Sequence, residues 1–276
     1  MTYRAILAPA SAGDEDAAVF DLAAEVAARH QAELRILSAF PTPAVQLSYV
    51  SPPGFYIDPV LVRDVQASND EARALIRSRA AASAARAGLA MERRVRVIED
   101  DLALPEALAP WLPLTDLMVV GAEAGTSDFV AHALLHAGPP VLVARAPLAL
   151  DALTIAIGWD GGLNAGRAVR AALPLLAEAR RIVALQQPDS LSTARRRCAD
   201  PARFTDYMRL HGCAVEFQRI DGGDDTGEAI LKAARGCDAG LLVCGAFGHS
   251  RLAELVLGGV TRKVLAAGGP SVLLAH

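Results

Sequence analysis

"LTIAIGWDGGLNAGRAVRAALPLLAEARRIVALQQ" occupies residues 153–187. It opens with a short apolar run and then turns at an Asp-Gly-Gly. A segment with apolar residues at helical spacing follows, and a second apolar run closes it. Runs of four to eight apolar residues separated by a helical pattern are the signature of parallel strands joined by a crossover helix. Right-handed crossovers place such helices against the sheet.

The pattern recurs. "YRAILAPASAGDEDAAVFDLAAEVAARHQAELRILSAF" (3–40) has the same order of parts. "TDLMVVGAEAG" (115–125) answers "CDAGLLVCGAFG" (237–248), and "GPPVLVAR" (138–145) answers "GPSVLLAH" (269–276). Strands are predicted near 4–10, 33–39, 92–98, 116–121 and 140–145, and again near 153–158, 181–186, 213–220, 239–244 and 271–275. The expected architecture is α/β: two doubly wound, five-stranded parallel-sheet domains in tandem, over 1–148 and 149–276. The last strand of each half is a candidate for a pairing surface that makes the chain an intramolecular pseudo-dimer.

The halves are unequal. The first carries a proline- and aromatic-rich insertion at 40–62, placed after its second strand, and then a long predicted helix over 63–89. The matching region of the second half, 188–212, is shorter.

Composition narrows the function. Of the 276 residues, 53% are hydrophobic and 21% charged, enough to bury a core. A formal charge of −4 leaves no basic footprint for nucleic acid. No apolar run approaches the roughly 20 residues of a membrane span, and no leader segment is read at the start. Cys198, Cys213, Cys237 and Cys244 form no Cys-x-x-Cys pair. A reducing cytoplasm is the expected compartment.

In open parallel sheets ligands sit at the carboxyl edge of the strands. Two segments reach that edge with suggestive chemistry. "LLVC" runs straight into Gly245 and Gly248, and Gly258 and Gly259 follow before the helical run "VTRKVLAAG". Glycines there let main chain approach a ligand, and consecutive amides or a helix start attract a phosphate. The same spacing also suits a plain strand–helix turn with a glycine cap. Asp160 follows the strand "TIAIGW". Its carboxylate can accept from a ribose hydroxyl or an adenine amino group, or it can simply open the "WDGG" turn.

These features together resemble the universal stress protein family: tandem halves, a strand–Asp–Gly opening, a Gly-x-x-Gly-x9-Gly motif and the closing "PSVLLAH". The resemblance implies the fold of the adenine nucleotide alpha hydrolase-like proteins and points to a subgroup that binds ATP. By that likeness Asp160 and the Trp159 main chain meet the adenosine end. Gly245 and Gly248 hold ribose and phosphates, Gly258 and Gly259 hold phosphates, and Cys244 and Val260 flank these contacts. ATP, with Mg²⁺ beside it, is the implied ligand of the second domain. One departure is Gly259, where ATP binders of the family carry Ser or Thr. The missing hydroxyl is worth roughly 0.5–1.5 kcal/mol if it made a net hydrogen bond.

The first half departs further. Ser11 stands where the family has Asp, Gly125 is displaced by one position, and Glu123 adds negative charge. No ATP is expected there.

Other chemistry finds little support. There is no Gly-x-Ser-x-Gly elbow and no Gly-x4-Gly-Lys-Ser/Thr loop. His249, the His132/His136 pair, Asp100–Asp101 and "DGGDD" (221–225) are candidate phosphate or metal contacts that ordinary surface and capping roles explain equally. The expected function is adenine-nucleotide binding for stress signalling, with unidentified protein partners and a homodimer as further expectations. A scaffold with both sites decayed is the alternative, and slow ATP hydrolysis, for which no base is evident, is a third.

Overall fold

The computed structural model describes residues 2–50, 52, 58–125, 134, 138–145, 148–187, 200–221, 225–246, 259–266 and 268–276. Two compact units partition the chain. One is Arg4–Val119; the other is Val120–His276 together with Met1–Tyr3.

The Arg4–Val119 unit holds strands β1 (Ala5–Ala10), β2 (Glu33–Ala39) and β3 (Val95–Asp100) and the start of β4 (Leu117–Gly121). They lie in the order β3-β2-β1-β4 and are parallel. Helix α1 (Asp16–His30) crosses from β1 to β2 and packs against α3 (Pro59–Arg86). The face that α1 turns inward carries Val19, Phe20, Ala23, Val26 and Ala27, all buried, at the spacing one helical stripe requires.

The insertion folds in part. Residues Pro43–Val50 form helix α2. Gln46 Nε2 donates to the Pro41 carbonyl at 2.6 Å and to Asn69 Oδ1 at 3.1 Å, which ties α2 to α3. The long helix starts at Pro59, four residues earlier than the sequence reading placed it. The cause is local: the Asp58 side chain accepts from the Val60 amide at 2.8 Å, and proline at the first helical position gives up no bonded N–H. Strand β3 starts later than expected because Met91–Arg94 wind into a short helix, α4. Two further short helices, α5 (Leu104–Leu108) and α6 (Ala122–Gly125), flank β4.

The second unit holds β5 (Val141–Ala144), β6 (Thr154–Gly158), β7 (Arg181–Gln186), β8 (Glu216–Arg219), β9 (Leu241–Gly245) and β10 (Ser271–Ala275). Their order is β5-β10-β9-β6-β7-β8. All neighbours are parallel except β5 and β10, which run antiparallel with Leu273 opposite Leu142. The two strands expected to close the halves therefore pair with each other, and β5 is built into the second unit. Right-handed crossovers put α7 (Leu163–Leu176) and α8 (Pro201–Leu210) on one face of this sheet. They put α9 (Thr226–Gly236) and α10 (Gly259–Ala266), which pack on each other, on the opposite face. Asp200 caps α8 and Asp225 caps α9, accepting from Arg203 and Glu228 amides at 2.9 and 3.0 Å.

Candidate functional site

Strand order reverses between β6 and β9. They lie side by side, with Gly158 opposite Cys244, so their carboxyl ends stop at the same height. This is the switch point at which doubly wound sheets open a crevice. Trp159–Asp160 leave it from one strand and Gly245–Ala246 from the other.

Gly245 is close to protein main chain. A β-carbon there would lie 2.5 Å from the Ala165 nitrogen and 2.6 Å from the Asn164 carbonyl carbon. The residue is glycine because the end of β9 runs directly under the first turn of α7. Asn164 secures the contact by donating from Nδ2 to the Ala246 carbonyl at 2.7 Å, while the Ala246 amide donates to the Ala275 carbonyl at 2.9 Å. Asn164 has no motif around it and was not singled out in the sequence.

Asp160 Oδ1 accepts from the Gly162 amide at 2.8 Å, closing a turn in which Gly161 adopts φ +72°. Gly162 then caps α7 without a side-chain bond. The carboxylate thus stands at the start of the helix, where its charge also favours the exposed amides.

Trp159 is 6% exposed and sends its main-chain N–H to the Leu185 carbonyl at 3.0 Å. Its indole stacks on Phe204 of α8, with ring centres 4.0 Å apart and planes 22° from parallel. Phe217 meets the far side of Phe204 edge-on at 5.9 Å. The buried indole Nε1 has no acceptor among the described residues. Cys244 is buried as well, and its sulfur fills the space a β-carbon at Gly158 would need, at 2.9 Å. Burial pushes the thiol up to about 12, so it stays protonated and is no nucleophile at neutral pH.

Beside this cluster, between α7 and α8, lies a cleft of about 310 Å³. Trp159, Phe204 and Tyr207 supply aromatic walls, Val169 an apolar one, and Arg170 and Arg203 two cations. No acidic residue is among the described residues that line it. Of the described residues singled out in the sequence, Trp159 alone takes part. A signal for the rest existed in "PARFTDYM" (201–208), where Phe204 and Tyr207 share a helix face, but nothing local pairs that face with Val169 and Arg170.

Gly259 and Val260 are the first two residues of α10. Gly248, Gly258 and His249 lie outside the described residues, as do His132, His136 and Cys198. Asp225 is engaged as a helix cap and pairs with Lys263. Asp100 accepts from the Leu102 amide at 3.0 Å, and Asp101 pairs with Arg73 at 2.6 Å. No cluster of His, Cys, Asp and Glu able to hold a metal ion occurs among the described residues. Among them, too, no helix is long and apolar enough to cross a membrane.

The corresponding loop of the first unit is filled from within. Asp16, 3% exposed, accepts from the Ser11 amide at 3.1 Å, the Ser11 hydroxyl at 3.0 Å and the Ala12 amide at 2.8 Å. A carboxylate of the chain itself occupies the donors that an anion would need.

Strand order, crossover pattern and switch point define a doubly wound α/β protein with its crevice at the carboxyl edge. Residues 153–276 match the model of the universal stress protein family. No curated protein matches the chain. Among solved structures, a universal stress protein from Archaeoglobus fulgidus DSM 4304 is similar, with a TM-score of 0.66 and 16% identity over 98% of this chain and 95% of that one. A protein of unknown function from Pseudomonas aeruginosa PAO1 gives a TM-score of 0.58 and 15% identity, over 99% and 92%. At these identities the likeness is one of fold.

Proposed function

We propose that the chain is a tandem universal stress protein, with repeats over 1–148 and 149–276, whose second repeat binds an adenine nucleotide in a regulatory, cytoplasmic role. The observation that carries this reading is the register Gly158↔Cys244, which brings Asp160 and the start of the glycine turn to one switch point. Asp160 takes the adenosine end, the turn from Gly245 to Gly248 takes ribose and phosphates, and Gly258 to Val260 take phosphates at the start of α10. Mg²⁺ accompanies the nucleotide through its phosphate oxygens, since no cluster among the described residues supplies ligands for it. The first repeat binds none: Ser11 stands where the second repeat has Asp160, Gly125 is displaced by one position, and Glu123 adds negative charge.

The test is thermal denaturation with and without Mg·ATP. A ligand selective for the folded state raises the melting temperature. Asp160→Asn keeps the acceptor for the Gly162 amide but removes the charge and replaces one carboxylate oxygen by an amide. It should fold normally and lose most of the rise. An unchanged melting temperature of the parent chain at millimolar Mg·ATP would rule the reading out.

One observation favours the scaffold alternative. The Trp159 indole is buried against Phe204 beside the crevice, and Gly245 is accounted for by its contact with α7. On that reading Mg·ATP leaves the melting temperature where it was, and the chain acts through protein partners.

A further inference from the structure

The cleft between α7 and α8 is a site of its own kind. It shares Trp159 and the Gly161–Gly162 turn with the switch point, and among the described residues neither Cys244 nor Gly245 lines it. Its volume, about 310 Å³, is at the lower end of the range of small-molecule pockets, about 300–1,000 Å³. A mono- or bicyclic ring fits that space.

The walls specify the ligand further. Three aromatic side chains and Val169 favour a flat apolar body, because rings stack on rings in offset or edge-on contact. Arg170 and Arg203 bring two positive charges, and among the described residues no carboxylate lines the cleft. Arg170 makes no hydrogen bond or ion pair among the described residues, and Arg203 has only an exposed 3.9 Å contact with Asp200. Guanidinium groups bind carboxylates through paired donors in a plane. The occupant must therefore carry its negative charge at one end and its ring at the other.

We infer that this cleft binds a small aromatic carboxylate, its ring against Tyr207 and its carboxylate between Arg170 and Arg203. The inference does not depend on the nucleotide reading and survives its failure.

The test is titration calorimetry of the full chain with 1-naphthoate and with neutral 1-naphthylmethanol. Naphthoate should bind at least tenfold more tightly than the alcohol. Arg170→Gln with Arg203→Gln should weaken naphthoate at least tenfold while leaving the alcohol unchanged. Gly166→Leu gives a second, independent arm. Gly166 lines the cleft, and a β-carbon there has the Arg170 guanidinium at 3.6 Å, so a leucine projects into the cleft. That variant should keep its melting temperature, since leucine is the better helix former, and lose naphthoate binding. Saturating Mg·ATP should leave the naphthoate Kd within twofold. No heat at millimolar naphthoate, equal binding of acid and alcohol, or binding that survives Gly166→Leu would overturn the inference. Displacement by ATP would also overturn it, by making the cleft part of a nucleotide site.

Discussion

Gly245 and Ala165 meet where β9 ends beneath α7: a β-carbon on the glycine would stand 2.5 Å from the alanine's backbone nitrogen. No side-chain motion relieves such a contact, because the neighbouring atoms belong to the helix backbone. Gly245→Ala should therefore destabilise the fold by about 1–3 kcal/mol, the usual cost of overpacking. Urea denaturation measures it. The same variant is a poor probe of ligand binding, since any loss would follow from the displaced helix.

The Trp159–Phe204 stack makes a prediction about α8. Phe204 is 2% exposed and lies between two other rings. Phe204→Ala should cost about 3–5 kcal/mol, from lost burial and the cavity left behind. Phe204→Leu should cost clearly less. Near-ultraviolet circular dichroism should lose the Trp159 signal in both variants, because the indole no longer faces a ring.

Asp16 supports three donors in the loop after β1. Asp16→Ala leaves the Ser11 and Ala12 amides without their acceptor and should cost about 1–3 kcal/mol, read from chemical denaturation. Asp16→Asn, which keeps an acceptor oxygen, should recover part of that loss.

Cys244 predicts an alkaline limb. Its thiol is held up to about 12 in the folded chain by burial, against an ordinary 9.0. Between those values the unfolded chain has lost the proton and the folded chain has kept it. The unfolded state then binds fewer protons, so stability falls as pH rises from about 9 toward 12. Cys244→Ala should show a shallower fall over that window in pH-dependent denaturation. At pH 8 the parent thiol should react with a disulfide reagent far more slowly than in urea.

Much of the fold was legible because its strands announce themselves. Runs such as "LLVC" and "TIAIG" are apolar throughout, as strands buried on both faces must be, and the structure places β9 and β6 on them. The errors sat where a short-range signal was weak or overlooked. Asp58 and Pro59 started α3 early, and "MERR" wound into a helical turn before β3. The pairing of the last strands was also readable, as two matching "GP…VL" segments, although their assembly in one unit was not.

The site was legible in a different degree. That Asp160 opens a turn at a strand end follows from "WDGG" alone, since Asp accepts from amides two residues on and glycine admits positive φ. That Gly245 yields to α7, that Trp159 lies against Phe204 and that Arg170 and Arg203 share a cleft do not follow. Each joins residues 33 to 80 positions apart, on elements whose own periodicity says only which face is buried. Local pattern determined the strands, the helices and the caps, because those depend on neighbours along the chain. Tertiary packing alone decided which side chains meet at the carboxyl edge, because distances across a sheet are set by crossover and register rather than by sequence separation.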